Sequence, residues 1–128
     1  MDLTELLAGA VEKIPGAVAI SLLGVDGLAV ETVTGAKTLP QNGSTPAAQD
    51  PQAWGVELAD LVLAARRAAD AAHWGTLRTI SLETEERAFL TRLVTPEYFL
   101  LLVVQADGNL GRARFELQRV GAALAESL

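Results

Sequence analysis

The chain has 128 residues, half of them hydrophobic and a fifth charged, which is the composition of one globular domain, and we expect residues 1–128 to form it. The absence of cysteine excludes disulfides, zinc–thiolate sites and cysteine nucleophiles, and a net charge of −6 argues against a nucleic-acid-binding surface. The start of the chain has no signal-peptide pattern and the longest apolar runs are too short to span a bilayer, so we expect a cytoplasmic protein without membrane insertion.

The first segment predicts an amphipathic helix. Apolar residues between Leu3 and Ile14 recur at helical spacing, and Asp2 is placed to cap the first turn. Pro15 and Gly16 then end the helix.

A strand hairpin is predicted next. Residues 17–23 are almost continuously apolar, which indicates a strand covered on both faces. The turn residues 24–27 lead into a second strand over residues 28–33. Residues 34–49 are polar and rich in Gly and Pro, which predicts a long surface loop.

The second half of the chain predicts a helix, three strands and a last helix. Asp50-Pro51 is a strong helix start, and the helix should run to about Ala72. Three strands, joined by hairpin-length turns, should form an antiparallel group, and the third is apolar on both faces and therefore central. The strands cover residues 77–82, 87–94 and 98–104, and Asn109 is placed to cap the last helix.

The central helix carries more apolar surface than a monomer needs. One broad apolar side would pack on the sheet, and a second lies almost opposite to it. Such a helix is either sandwiched within its own domain or contacts another chain, and with only two other helices available self-association is favoured. The side expected on the sheet contains Trp54, Leu58, Leu61, Val62, Ala65, Ala68, Ala69 and Ala72, and the second side contains Ala53, Val56, Leu63, Ala64 and Ala71.

The third strand has the mixed polar and β-branched composition of an edge strand, and a bare edge invites pairing with another chain. A two-fold pairing of this strand, with the central helices side by side, would cover both surfaces. The predicted dimer interface contains Val56, Leu63, Ala64, Ala71, Leu77, Thr79 and Ile80.

Residues that could support catalysis or hold a cofactor or metal are few. His73 is the only histidine, which excludes a His-based metal site or a Ser–His–Asp triad within one chain, and we expect it at a helix end. Residues 107–109 fit a turn and N-cap better than a calcium loop, and both the phosphate loop and the dinucleotide fingerprint are absent. Glu83, Glu85 and Glu86 fit a solvated turn. We therefore predict no catalytic, cofactor-binding or metal-binding residues and no enzymatic activity.

The segment order, with Ile14-Pro15-Gly16-Ala17-Val18, Val25-Asp26-Gly27-Leu28 and Asp107-Gly108-Asn109-Leu110-Gly111, resembles the roadblock / dynein light chain family from about Leu3 to Leu124. The resemblance implies an α+β fold in the order αββαβββα: a three-layer α/β/α sandwich with an antiparallel five-stranded sheet. The terminal helices would cover one face and the central helix the other. It also implies dimerisation through the central helix and the strand that follows.

Bacterial members of this family resemble a gliding-motility regulator that binds a small Ras-like GTPase and stimulates GTP hydrolysis. The resemblance therefore implies a non-enzymatic homodimeric regulatory or scaffold module with such a GTPase as partner. The loop before Asp50 is longer than in that regulator, which weakens the transfer of GTPase-activating activity. The expected partner-binding platform, on the outer side of the paired helices, contains Glu57, Asp60, Leu63, Arg66, Arg67 and Asp70.

Two alternatives remain open at this point. One is a dimeric scaffold without a GTPase partner, which pairs with another roadblock-like chain. The other is a small-molecule sensor domain, which would need a polar-lined pocket, and Ser21 is almost the only inward polar candidate in the central strands.

Overall fold

The computed structural model of the protein describes residues 2–35 and 50–128. Within these ranges the chain forms helices and strands in the predicted order αββαβββα. The loop predicted over residues 34–49 lies outside the described residues except for its first two, of which Thr34 ends a strand. The elements are α1 (Leu3–Glu12), β1 (Ala17–Gly24), β2 (Ala29–Thr34), α2 (Pro51–Ala71), β3 (Thr79–Glu83), β4 (Arg87–Leu93), β5 (Tyr98–Gln105) and α3 (Leu110–Ala125).

The strands form one antiparallel sheet in the order β2-β1-β5-β4-β3. β5 is at the centre and β1 lies beside it, so the two strands predicted to be apolar on both faces are interior strands. All of β1 is buried, as is β5 apart from its two end residues, because helices cover both faces of the sheet there. β3 is an edge strand, as predicted, although it begins at Thr79 rather than at Leu77.

Local capping fixes where the helices begin. The side-chain oxygens of Asp2, Asp50 and Asn109 accept hydrogen bonds of 2.7, 3.0 and 2.9 Å from backbone N–H groups two or three residues further along. All three caps were predicted from the sequence.

The end of α2 is also locally determined. The N–H of Trp74 donates to the carbonyl of Ala69 at 2.9 Å and the N–H of His73 donates to that of Asp70 at 3.3 Å, which is the pattern of a Schellman motif. His73 has a φ of 56° and occupies the left-handed position that glycine usually takes. The prediction that His73 marks a helix end is confirmed.

Two hydrophobic cores lie on the two faces of the sheet, which confirms the three-layer sandwich. α1 and α3 cover one face, where Leu7, Leu102 and Val120 are fully buried. α2 covers the other, where Val62 and Phe99 are fully buried. The sheet is therefore the middle layer of the domain.

α2 approaches the sheet most closely over β1 and β2, and its buried side also packs on β5. The contact is close there, since a methyl group at Gly55 would overlap the side chain of Leu23. From the same turn of the helix, Trp54 extends to β4, where its ring meets that of Phe89 edge-on with centroids 5.9 Å apart. This placement leaves the outer part of the same sheet face, on β3 and β4, without a full cover.

Candidate functional site

The exposed side of α2 differs from the sequence prediction. Leu61, Ala68 and Ala72 were expected on the sheet but are exposed, with Leu61 43% accessible, whereas Leu63 was expected outside and is half-buried. The reason is that an alanine-rich helix has a broad apolar sector, so small rotations about its axis exchange residues at the margins of that sector.

The structure instead brings Leu61, Ala64, Ala68 and Ala71 together as one exposed stripe of α2. Their spacing of three and four residues places them on one side of the helix. Trp54 points to the β4 side of α2, and Leu61, seven residues further, lies on nearly the same side. The stripe of small residues therefore faces the uncovered part of the sheet and would allow close approach of another helix.

The uncovered part of the sheet is apolar. Ile80 and Phe89 are half-buried and pack at the margin of the α2 core, and Leu82, which pairs with Phe89 across the strands, is 40% exposed. Together with the α2 stripe these side chains form a groove, which we call the α2–β3 groove. It lies along the edge strand β3.

The predicted dimer-interface residues are partly brought together around this groove. Ala64 and Ala71 are exposed and Ile80 is half-buried there. The other four predicted residues lie elsewhere. Thr79 is exposed on the α3 face of the edge strand, and Leu77 lines a separate cavity. Val56 is exposed but contacts Gly27 in the β1–β2 turn, and Leu63 lies on the far side of α2 from the groove.

The predicted partner-binding residues do not form one compact platform. Asp60 and Arg67 are exposed and point away from the sheet, whereas Glu57 is exposed beside the stripe. Arg66 and Asp70, together with the β4–β5 turn, line a separate cavity. Charge on the outer side of α2 is therefore mixed rather than of one sign.

That cavity has a volume of about 340 Å³. Arg66, Arg78 and the carboxylate of Asp70 line it. Arg92 also borders it, but the side chain of Arg92 packs against Gly121 of α3 on the opposite face of the sheet. Among the described residues no hydrogen-bond partner reaches the buried Nη2 of Arg66. Sequence reasoning missed Arg78 because it lies outside α2 and has no regular spacing from Arg66. The remaining lining residues are Thr76, Leu77, Leu93, Val94, Thr95 and Pro96. We call this the arginine cavity.

A second exposed apolar surface lies at the opposite edge of the sheet. Leu28 is 72% exposed beside β2, and Val30, within β2, is exposed as well. Neither was singled out in the sequence, where both belong to an ordinary strand pattern.

The buried polar groups of the sheet are satisfied internally. The hydroxyls of Ser21 and Thr32 are hydrogen-bonded at 2.9 Å, so the one inward polar candidate for a small-molecule site already has a partner. The Thr91 hydroxyl donates to the carbonyl of Ile80 at 3.0 Å and accepts from its N–H at 3.2 Å. In residues 2–35 and 50–128, no group of three acidic or histidine side chains is arranged to hold a metal ion.

One buried charge lies on α3, away from the groove. Glu116 is 1% exposed, and both its carboxylate oxygens accept hydrogen bonds from Nε of Arg119, at 3.0 and 3.2 Å. This hydrogen bond lowers the pKa of Glu116 against the opposing effect of burial, with Arg112 and Lys13 adding smaller attractions.

No helix among the described residues has the length and apolarity needed to span a membrane.

Comparison with known proteins gives consistent structural matches. Neither a family model nor a curated protein matches the chain. Among solved structures, MglC from Myxococcus xanthus is similar over the whole of both chains, with 31% sequence identity and a TM-score of 0.68. A Roadblock/LC7 domain from Streptomyces avermitilis has 16% identity and a TM-score of 0.79, over 99% of this chain and 98% of that one. The gliding protein MglB from Thermus thermophilus has 16% identity and a TM-score of 0.80, over 96% of this chain and 85% of that one.

Proposed function

This chain belongs to the Roadblock/LC7 family, and from that premise we propose that it is a non-enzymatic homodimeric regulatory or scaffold module that binds a small Ras-like GTPase. The observation that carries the proposal is the α2–β3 groove, an apolar surface that a single copy leaves open beside an unpaired strand edge.

Self-association is supported by the shape and chemistry of the groove. The stripe of Leu61 and alanines permits close packing of a second helix, and the floor offers Ile80, Leu82 and Phe89. The α2 helix of a second copy has the same stripe, so a two-fold arrangement would bury both at once. An open edge strand next to the groove adds backbone hydrogen bonds to the same contact.

The dimer is tested by one substitution and a matched control. Leu61→Glu places a charge in the groove and should convert the dimer to a monomer, measured as mass by light scattering at micromolar concentration. Leu28→Glu places the same charge on an exposed leucine at the opposite edge and should leave the dimer intact. A wild-type protein with the mass of one chain at high concentration would refute the proposed dimer.

GTPase binding is supported by the outer side of α2. Asp60 and Arg67 are exposed there and leave both signs of charge available to a partner. Mixed charge suits a regulated contact better than an obligate one, whose interface is more apolar. Regulation also requires that the affinity differ between the GDP-bound and GTP-bound states of the GTPase. A partner with equal affinity for two states does not shift the equilibrium between them.

The decisive experiment titrates the dimer with a cognate Ras-like GTPase loaded with GDP or with a GTP analogue. We expect tighter binding to one state, and weaker binding by Arg67→Glu at unchanged dimer mass. Arg114→Glu, at an exposed position of α3, is the matched control and should bind as the wild type does. Equal affinity for both nucleotide states would refute regulation of the GTPase and support a scaffold role alone.

A second candidate function is pairing with another roadblock-like chain. It is favoured by the exposed apolar residues at the β2 edge, Leu28 and Val30, which a dimer formed through β3 would not cover. Absence of GTPase binding in either state, together with loss of a heteromeric complex on Leu28→Glu, would support this function instead.

A further inference from the structure

Another pocket lies on the α3 face of the sheet, between α3 and the edge strand β3, and we call it the α3–β3 pocket. It has a volume of about 160 Å³. It is on the other face of the sheet from the α2–β3 groove and the arginine cavity. Three elements line it: Thr79 and Ser81 from β3, Leu90, Thr91 and Arg92 from β4, and Arg114, Leu117 and Gln118 from α3.

The floor of this pocket follows from the pairing of β3 with β4. Thr79 lies opposite Arg92, and Ser81 lies opposite Leu90, which is buried in the core under α1 and α3. Directly opposite residues point to the same face of a sheet, and so do residues two apart on one strand. Two hydroxyl groups and one guanidinium therefore lie on the α3 face of the sheet.

The wall of the pocket is one side of α3. Arg114 and Gln118 are about one helical turn apart, so their side chains extend from the same side of the helix. Leu117, between them, is buried, whereas both polar residues are exposed. The wall therefore adds a second guanidinium and an amide to the two hydroxyls and the guanidinium of the floor.

The side chain of Arg92 is held against the backbone of α3. A methyl group at Gly121, which is buried, would lie 3.0 Å from Cδ and 3.1 Å from Nε of Arg92, closer than an ordinary van der Waals contact. Glycine inside a helix is less favourable than alanine by about 1 kcal/mol, and the passage of this side chain explains its presence there. A side chain that is already confined loses less conformational entropy when it binds a ligand.

The charge of the pocket is positive in an otherwise acidic protein. Among the described residues none that lines the pocket is acidic, and neither Arg92 nor Arg114 forms an ion pair within residues 2–35 and 50–128. Two positive charges at one pocket repel each other, and an anion between them replaces that repulsion with attraction. The pocket is therefore suited to an anion.

The directions and types of the donors favour a phosphate group. Arginine binds phosphate strongly through its N–H groups, and hydroxyl and amide groups supply neutral donors. These donors reach the pocket from both the floor and the wall. The oxygens of a phosphate group also point in several directions, whereas those of a carboxylate lie in one plane. The pocket is smaller than the about 300–1,000 Å³ typical of sites for larger ligands, so it fits one phosphate group rather than a whole nucleotide.

We propose that the α3–β3 pocket binds a single phosphate group. Arg92 and Arg114 supply the charged donors. Thr79, Ser81 and Gln118 supply the neutral donors. The same chemistry binds free inorganic phosphate and a phosphoryl group carried by a larger molecule. The inference goes beyond the proposed dimer and GTPase contact, because the pocket lies on the opposite face of the sheet from α2, and its loss should leave GTPase binding unchanged.

Titration with inorganic phosphate, followed by heteronuclear NMR of the isotope-labelled protein, tests the site. Sodium chloride at the same ionic strength is the reference, because salt alone screens surface charge. The backbone signals of Thr79, Ser81, Arg114 and Gln118 should shift together and saturate. Shifts spread over other basic parts of the surface, or the lack of a saturable shift, would overturn the proposal.

Two substitutions and a matched control separate a specific contact from net charge. Arg114→Gln, at an exposed position, should raise the phosphate dissociation constant about tenfold. Thr79→Val keeps the β-branched shape without the hydroxyl and should raise it about threefold. Arg78→Gln is the control: it removes the same charge next to Thr79 but on the α2 face, and should change the constant less than about twofold. Equal effects of Arg114→Gln and Arg78→Gln would contradict a specific pocket.

Phosphoserine distinguishes the two sources of the phosphate group. If a larger molecule carries the group, phosphoserine should shift the same signals with at least the affinity of inorganic phosphate. Tighter binding of inorganic phosphate would assign the pocket to the free ion. Serine, which lacks the phosphate group, should cause no shift, and equal shifts by serine and phosphoserine would refute phosphate recognition. A protein that dimerises and binds a GTPase but not phosphate would refute this inference alone and leave the proposed function in place.

Discussion

Truncating Arg119 should destabilise the fold by leaving a buried carboxylate without its partner. Arg119→Ala removes the donor to both oxygens of Glu116, which is 1% exposed. An unsatisfied buried polar group costs about 1–3 kcal/mol, and more when charged. Arg119 itself is 37% exposed, so the ion pair is partly screened, and Arg112 and Lys13 still attract the carboxylate. We therefore expect a loss of about 1–3 kcal/mol in the free energy of unfolding at pH 7.

The loss of stability caused by Arg119→Ala should become smaller as pH falls. In the wild type the pKa of Glu116 is lowered, so its contribution to stability is present above the ordinary glutamate pKa and is lost as pH falls through the lower value in the folded state. In Arg119→Ala the main cause of that lowering is gone, and burial raises the pKa. The variant can then take up a proton at higher pH than the wild type, so the difference in stability should shrink as pH falls from the raised pKa of the variant towards the lowered pKa of the wild type.

Urea unfolding at matched protein concentration, at pH 7 and pH 4, measures this difference. Concentration must be fixed because a dimer gains stability by mass action. Glu116→Gln provides the control background, since Arg119→Ala should cost less there and show little pH dependence. Equal costs of Arg119→Ala in both backgrounds, or a cost that grows as pH falls, would refute the reasoning.

Two further predictions test the core and the end of α2. Leu102 is fully buried on β5, between β1 and β4. Leu102→Ala should therefore lower the free energy of unfolding, measured in urea, by about 2–5 kcal/mol. The control Leu128→Ala, at an exposed site, should lower it by less than about 0.5 kcal/mol. His73→Gly should raise the melting temperature, because glycine adopts the left-handed backbone conformation without the steric cost that histidine has there. The expected gain in the free energy of unfolding is about 0.5–1 kcal/mol after the greater chain entropy of glycine is subtracted. Gly75→Ala, at a φ of 96° with open space around it, should lower stability, and an unchanged or raised value would contradict this explanation.

Much of the fold could be predicted because its signals are local. The caps of Asp2, Asp50 and Asn109 act on backbone groups two or three residues away, and the left-handed position of His73 is closed by hydrogen bonds within one helix turn. The site was predicted less completely. The edge position of β3 followed from its composition, but the exposed stripe on α2 did not, since Leu61 and Leu63 are equally apolar and only packing on β1 and β2 decides which is covered.

The sequence by itself determined the order of the elements, their ends and the two interior strands, because hydrophobic periodicity and capping depend on neighbours along the chain. Only the tertiary structure decided that Glu116 is buried, since the cost of burying a carboxylate is offset by Arg119 and by charges from elsewhere in the fold. It also brought Arg66 and Arg78 to one cavity. Their proximity depends on how α2, β3 and β4 meet, and that geometry is set by packing of the whole sheet rather than by any spacing in the chain.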